Sequence, residues 1–472
     1  MPVAGSKPPM GVDLSIRRLF LTTSGVAVFL WVVYKIPYGS MVALGILCLL
    51  ALVSVERSLQ SLSLVTVIKF LNPGLYTAMG LEGLLIWVVL AIAGARIYFQ
   101  AAFSGGGFHP VLPSLLIFGA IVLVQSLLVS PFPLISAFKI ISFVYVVGAI
   151  LIGFSLTAGR NMKWASWFVG VWLAVILLSV PTYFRPNIGF LLNGHGFQGI
   201  LAHPQNFGVF VAPMAAWSAG QLMSGQRPRW LMAGLLAAAV VVVFLSKART
   251  GALAIVLGSC AVALLLLTRR SGIRLLAMRL SQVLAAGIAI GFVAVAIFGS
   301  TVLLNGAEQF VFKHDRKGSL AANDTRTAGI VGQWRSFLDH PALGIGFGVS
   351  LDPTFAPTLD RATGLPIGAP VEKGFLPTAV LEETGVVGAL ALVFLLGPLI
   401  RCAGFSKSLP LSFLFFTALF VNCAEMIFFS VGGWGLYMWL LFGWAATSQA
   451  WPDRVKPRAI RAGAPEQQWR RA

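Results

Sequence analysis

Apolar runs of membrane-spanning length recur along almost the whole chain. They fall at 19–34, 39–55, 81–99, 111–130, 134–157, 164–182, 207–223, 230–246, 251–268, 282–304, 376–400, 409–429 and 432–450. A spanning helix needs about 20 apolar residues, within a range of about 17–25. Composition agrees: of 472 residues, 58% are hydrophobic and 10% charged, and the mean hydropathy is +0.88. Soluble domains average roughly 25% charged residues. The expected fold is an all-α, polytopic membrane helix bundle of about 12–14 transmembrane helices with one long extramembrane loop.

The net charge of +19 does not point to nucleic acid, because the cations sit in short clusters between apolar runs. Cytoplasmic loops of membrane proteins carry such clusters. Arg269, Arg270, Arg274 and Arg279 form one, with no acid among them, and Arg454, Lys456, Arg458, Arg461, Arg470 and Arg471 form another. The loops near Arg160 and Lys163, Arg227 and Arg229, Arg269–Arg279, and Arg401 and Lys407 alternate consistently as cytoplasmic. Loops 183–206, 246–250 and 305–375 then face the opposite side. Counting back gives an outside N-terminus, whereas Lys7, Arg17 and Arg18 argue for an inside one. An extra or re-entrant span within 58–79 would reconcile the two. The chain divides into a cytoplasmic tail (1–18), N-terminal spans (19–304), a long loop (305–375), C-terminal spans (376–450) and a basic cytoplasmic tail (451–472). The four Cys (Cys48, Cys260, Cys402, Cys423) show no CxxC or CxxH spacing, so neither a zinc site nor a disulfide framework is indicated.

The long loop is polar and rich in Gly and Pro. It holds Glu308, Asp315, Asp324, Asp339, Asp352, Asp360 and Glu372, seven of the 15 acidic residues. Ionisable groups are costly in lipid, so chemistry is expected in this water-facing segment. Within it, Arg326, Ile330, Trp334 and Phe337 recur near helical spacing and predict a helix over 326–340. Asn323 or Asp324 would cap its start, and Pro341 follows its end.

Four constellations are candidates for chemistry. The first is Gly194-His195-Gly196-Phe197-Gln198-Gly199 followed by His203-Pro204-Gln205-Asn206. Its glycines match GxGxxG, but a nucleotide loop needs a preceding strand, and a membrane span stands there. It is either a loop that re-enters the bilayer or a lip where His203 and Gln205 meet a polar ligand. The second is Ser246-Lys247-Ala248-Arg249-Thr250, two cations on the face that is normally poor in them. Its cations either snorkel to lipid phosphates or bind a phosphate or pyrophosphate, for which guanidinium geometry is suited. The third is Arg326, Trp334, Arg335, Asp339 and His340 with the run Gly344-Ile345-Gly346-Phe347-Gly348. If 326–340 is helical, Arg326, Ile330 and Trp334 share a face and Arg335 points elsewhere. The fourth is Glu372-Lys373, then Leu381-Glu382-Glu383-Thr384-Gly385-Val386-Val387-Gly388. Adjacent residues do not share a helix face, so at least one of the two carboxylates faces the protein interior or a wet cavity. Simple pairing with an Arg is the alternative. Glu425, between the last apolar runs, raises the same question. Walker A, GxSxG, HExxH and DxD motifs are absent, so nucleotide-driven pumping and cytosolic sugar-nucleotide transfer lack their usual signatures.

Taken in order, His203-Pro204-Gln205-Asn206, Ser246–Arg249, Arg326 with Trp334, His340-Pro341, Gly344–Gly348 and Glu383-Thr384-Gly385-Val386-Val387-Gly388 resemble the O-antigen ligase/polymerase superfamily of bacterial envelope proteins. The resemblance covers roughly 195–390. It implies glycosyl transfer at the periplasmic face of the bacterial inner membrane. The donor would be a glycan on undecaprenyl pyrophosphate. The acceptor would be another lipid-linked glycan, for a polymerase, or lipid A core, for a ligase. The lipid pyrophosphate is the leaving group, so the resemblance implies no metal and no cofactor. Membrane lipids and a chain-length regulator are the further partners implied.

Under this resemblance Arg249 and Arg326 carry over as the arginines near the donor pyrophosphate. Lys247, Arg335, His203, Gln205, Asn206, His340, Lys373 and Glu383 are the candidate substrate contacts. One departure matters. Ligases place a His eleven residues before the first Gly of the closing GxxG; here that position is Gly374, flanked by Lys373 and Phe375. Glu372 is then the nearest group able to accept a proton from an acceptor hydroxyl, and polymerase is favoured over ligase. The rival from another class is a transporter or flippase of a lipid-linked or acidic substrate. Such proteins usually show matching repeats with broken helices, and no internal repeat is visible here.

Overall fold

The computed structural model describes residues 16–76, 80–104, 108–158, 164–190, 196–225, 228–268, 321–350, 373–406 and 408–447, with backbone alone for 321–327. The span expected at 282–304 and the two terminal tails beyond 16 and 447 lie outside the described residues. Among those described, all regular structure is helical apart from one antiparallel bridge between Leu71 and Leu201.

In chain order the helices are α1 (Ile16–Lys35), α2 (Gly39–Val53), α3 (Val55–Lys69), α4 (Glu82–Ser104), α5 (Leu112–Val129), α6 (Pro133–Thr157) and α7 (Trp164–Tyr183). A single turn, α8 (Pro186–Gly189), precedes α9 (Pro204–Met223), α10 (Arg229–Leu245) and α11 (Arg249–Leu267). Then come α12 (Ala321–Asp339), α13 (Leu376–Leu399, extended by a π turn at Ile400–Gly404), α14 (Leu409–Val421) and α15 (Trp434–Thr447). Seven of the described helices are long and apolar enough to cross a membrane: α1, α4, α5, α6, α7, α11 and α13 with its π turn. The shorter α2, α10 and α14 are also apolar. The architecture is the expected all-α polytopic bundle. Helices suit that setting because their backbone groups pair within the segment, where lipid offers no partner.

Two boundaries differ from the sequence expectation. The run 409–429 is helical only to Val421, because the Asn422 amide turns back onto the carbonyls of Ala418 (3.2 Å) and Leu419 (3.3 Å). The second difference is α3, which the apolar-run criterion passes over because Glu56, Arg57, Ser58, Gln60, Ser61, Ser63 and Thr66 dilute it. Its start is capped: the Ser54 hydroxyl accepts from Arg57 N at 3.2 Å, and Glu56 lies in the first turn. Most of its hydroxyls find carbonyls, Ser58 on Ala51 O and Ser63 on Gln60 O, both at 2.7 Å, while Trp167 Nε1 donates to Ser63 Oγ at 2.9 Å. A polar helix can therefore sit buried among apolar neighbours.

The extra helix α3 changes the parity of the chain. Ser40 Oγ donates to Glu82 Oε1 at 3.1 Å, and the Lys69 ammonium donates to Gly432 O. Asn72 N donates to Ile200 O at 2.8 Å, and Leu376 N to Asn422 O at 3.3 Å. These contacts gather the starts of α2, α4, α9, α13 and α15 and the ends of α3 and α14 at one end of the bundle. Following each helix across, Ile16 and Thr447 both lie at the other end.

The interior is built from α3, α9, α14 and α15, which are buried nearly all round. The peripheral helices bury one stripe and leave the other apolar. Phe20, Leu128 and Leu134 are 69%, 74% and 82% exposed. So continuous an apolar exterior suits lipid, since water-soluble monomers rarely present one.

Candidate functional site

The first two constellations meet at the gathered end. His203 caps α9: its extended backbone leaves the helix, and its Nδ1 accepts from Gln205 N at 3.2 Å, with Pro204 at the first helical position. The α10–α11 turn folds back beside it. Lys247 takes a left-handed φ of 52°, an uncommon state for a residue with a Cβ, and this reverses the chain within the three residues Ser246, Lys247 and Ala248. Phe197 N donates to Leu245 O at 2.9 Å, tying the 196–202 loop to the turn. Gly208 allows the approach: a Cβ there would overlap Ala248 and lie 2.9 Å from Ser246 Oγ.

The result is a shared acceptor. Glu425 Oε1 accepts from Thr250 Oγ1 at 3.2 Å and also from the Gln205 side-chain amide. Three segments distant in sequence thus converge on one half-buried carboxylate. Lys247 and Arg249, either side of Ala248, are exposed on the same turn, and His203 and Asn206 are half-buried beside it.

The third and fourth constellations form a second cluster at the same end. Within α13, Gly385 has φ 58° and ψ −166°, so the helix is broken there. The break frees backbone groups on both sides, and the segment 340–348 pairs with them. Ile345 N donates to Glu382 O (3.0 Å) and Gly346 N to Glu383 O (2.9 Å). On the other side, Val386 N and Val387 N donate to Pro341 O (2.9 Å) and Ala342 O (3.2 Å). The segment is a strap that replaces the interrupted helical hydrogen bonds. Phe347 N donates to Ser126 Oγ at 3.0 Å, and the Phe347 ring packs 5.1 Å from Phe429 and 6.5 Å from Phe143. Burying that ring is worth about 1.5–3 kcal/mol.

Charges lock the strap. Gly348 N donates to Glu383 Oε2 at 2.7 Å, and the Lys139 ammonium donates to Gly348 O. Lys373 Nζ lies 2.7 Å from Glu382 Oε2 and 3.1 Å from Glu383 Oε1, and donates to Val349 O at 2.6 Å. All three ionised side chains of this pairing are buried. From α12, Gln333 Nε2 donates to Lys373 O at 2.7 Å, and Thr378 Oγ1 donates to Gln333 Oε1.

Several sequence expectations change at this point. The carboxylates Glu382 and Glu383 pair with a lysine, Lys373, and both are buried although adjacent. Lys373 and Glu383, expected to touch substrate, bind each other and the strap. The helix over 326–340 begins earlier, at Ala321, so Asn323 and Asp324 lie in its first turn instead of capping it. Its packed residue is Gln333, while Ile330 and Trp334 are 36% and 46% exposed. The polar pairing with Lys373 and Thr378 outweighs the apolar periodicity. Arg335, near the end of α12, and His340, just past it, are exposed. Glu372 and the side chain of Arg326 lie outside the described residues, as does His195.

Residues that the sequence reading passed over are Lys139, Gln125, Ser126, Gln333 and Thr378. Lys139 had a usable signal, a lone cation inside the apolar run 134–157. Gln125 Nε2 donates to Thr384 O at 3.3 Å, close to the α13 break.

No protein-family model matches the chain, and no curated protein sequence matches it.

Proposed function

We propose that this protein is an integral membrane glycosyltransferase that polymerises glycan repeat units carried on undecaprenyl pyrophosphate, at the periplasmic face of the bacterial inner membrane. The observation that carries the reading is the turn at 246–250. It holds Lys247 and Arg249 exposed beside His203–Asn206, at the end of the bundle opposite the α9–α10 and α13–α14 connections with their Arg229 and Arg401.

In this reading Arg249 and Lys247 stabilise the charge that builds on the pyrophosphate as the sugar leaves, an electrostatic role available before the reaction begins. Arg326 is a further candidate for the same role. His203, Gln205 and Asn206 line the approach of the acceptor sugar. Transfer to lipid A core would use the same donor chemistry.

Transport is the second reading, because a broken helix such as α13 is a recurrent transporter device. In transporters the unwound backbone lines a cavity and coordinates substrate. Here the strap occupies those backbone groups on both sides of Gly385, which favours polymerisation over transport.

The test is polymer length in cells carrying Arg249→Ala or Arg326→Ala at normal protein abundance. The proposal expects short or absent chains. An unchanged chain-length distribution in both variants rejects it, and movement of a fluorescent lipid-linked glycan across vesicles without elongation supports transport instead.

A further inference from the structure

We infer that the last turns of α12 lie in the lipid interface at the gathered end of the bundle, with their apolar face against phospholipid acyl chains. Among residues 328–339 of α12, Gln333 is the one buried side chain. At 3.6 residues per turn, Ile330, Val331, Trp334, Phe337 and Leu338 share an arc of about 120° to one side of it. Ile330, Val331, Trp334 and Leu338 are exposed. A bare apolar arc of that width is the pattern of a helix lying in a membrane surface. Ala328, Gly332, Arg335 and Asp339 fall on the remaining face.

Hydrogen bonds set the depth of this arc. Gln333 Oε1 accepts from Thr378 Oγ1. Eight residues on, Pro341 O accepts from Val386 N at 2.9 Å. Thr378 and Val386 are also eight residues apart. The end of α12 therefore runs beside the start of α13, in the same direction, for about 12 Å at 1.5 Å per residue. α13 with its π turn is long and apolar enough to cross a membrane, so α12 follows it from the boundary inward. The sequence of α12 changes in the same sense. Asn323, Asp324, Thr325, Arg326 and Thr327 make its first turns polar, and large apolar residues begin at Ile330.

The bare arc is continuous with the lipid-facing exterior of the bundle. On α13 the exposed apolar residues Val386, Val387 and Leu390 begin where α12 ends. Across the strap, Gly346 packs directly on Ser130, and Leu128, Phe132 and Leu134 near it in the chain are exposed. Apolar side chains bare on both flanks put the strap, and the end of α12 that leads into it, level with lipid. Trp334 there suits the preference of Trp for membrane–water interfaces, and Arg335 beside it can snorkel to headgroup phosphates. Lipid then supports α12 on one side while Gln333 ties it to α13 on the other, which keeps the strap seated in the break at Gly385.

The test uses the full chain in phosphatidylcholine–phosphatidylglycerol nanodiscs, with Cys48, Cys260, Cys402 and Cys423 replaced by alanine. Spin labels are introduced singly through Ile330→Cys, Trp334→Cys, Leu338→Cys, Gly332→Cys and Asp339→Cys. Power saturation compares collisions with oxygen, which concentrates in lipid, and with a nickel chelate, which stays in water. Labels on the apolar arc are expected to favour oxygen severalfold, the one replacing Leu338 most. Labels replacing Gly332 and Asp339 should show the opposite preference. Equal nickel access on both faces overturns the inference, because water then surrounds the helix. Shielding of the arc from both reagents also overturns it, since protein would then cover it, either residues 351–372 or another polypeptide. Each label reports separately, so where one variant fails to fold the neighbouring positions still decide. Elongation is not read, so the fate of the polymerase reading leaves this result unchanged.

Discussion

The ammonium of Lys373 lies 2.7 Å from a carboxylate oxygen of Glu382, and both side chains are almost fully buried. Glu383 shares the same ammonium at 3.1 Å. Lys373 therefore bridges two buried carboxylates. Breaking a buried pair by removing one partner is strongly destabilising, about 3–5 kcal/mol, because the remaining charge is left uncompensated. Lys373→Met should lose stability on that scale. Adding Glu382→Leu and Glu383→Gln should recover much of it, since the amide of a Gln can still accept from Gly348 N. Thermal unfolding in detergent reads both outcomes. A single variant that melts with the wild type would show that the trio is not what fixes the strap.

The break in α13 makes a paired prediction. Gly385 and Gly374 both have left-handed φ, 58° and 73°. A Cβ at Gly374 meets nothing within 4 Å, whereas one at Gly385 collides with Ala342 O and sits 2.7 Å from Leu343 N. Gly374→Ala should cost about 1–2 kcal/mol, the backbone penalty alone. Gly385→Ala carries the same penalty and must also push the strap off the helix, so its loss should exceed that of Gly374→Ala clearly. Equal shifts in melting temperature for the two variants would contradict the strap as described.

Lys247 separates fold from function. Its φ of 52° favours Gly on conformational grounds, and its side chain is exposed. A non-Gly residue in this region stores of order 1 kcal/mol of strain, while Gly has more chain entropy to lose on folding. These terms nearly cancel, so Lys247→Gly should leave stability within about 1 kcal/mol of the wild type. Elongation should nonetheless fall and become less sensitive to salt, because one cation is gone from the pyrophosphate site. Unchanged elongation would remove Lys247 from the site.

The parts of this protein that were legible from sequence are those where one physical rule acts alone. Among the described residues, most long apolar runs are helices near the expected bounds because lipid leaves no other solution, 409–429 being the exception that stops at Val421. The meeting of His203–Asn206 with Ser246–Thr250 was suggested by motif order but not by any spacing rule, since it depends on Gly208 admitting Ala248 at close range. What stayed hidden are places where two effects compete. α3 is polar by composition and buried by packing, since Ser58, Ser63 and Thr66 bond to carbonyls of α2, of the helix start or of α3 itself. α12 looks amphipathic through Ile330 and Trp334, yet Gln333 is the residue that docks, because Lys373 and Thr378 need its amide. The break at Gly385 was visible only as a glycine in a run, and its meaning required the strap that pairs with it.

His109 gives a pH dependence with a definite sign. It lies between α4 and α5, fully buried, and its Nδ1 accepts from Val111 N at 3.2 Å. Burial pushes its pKa down from 6.5 to about 4, because desolvation penalises the charged imidazolium. The folded protein therefore holds His109 neutral in a range where the unfolded chain protonates it. Stability from this group is fully present above pH 6.5, declines as the pH falls, and is exhausted near pH 4. At about 1.4 kcal/mol per unit, the whole excursion is about 3 kcal/mol. His109→Asn keeps an acceptor for Val111 N and cannot titrate. Between pH 7 and pH 4.5 its melting temperature should fall less than that of the wild type, and identical pH profiles would mean that the imidazole gains a proton at no cost in the fold.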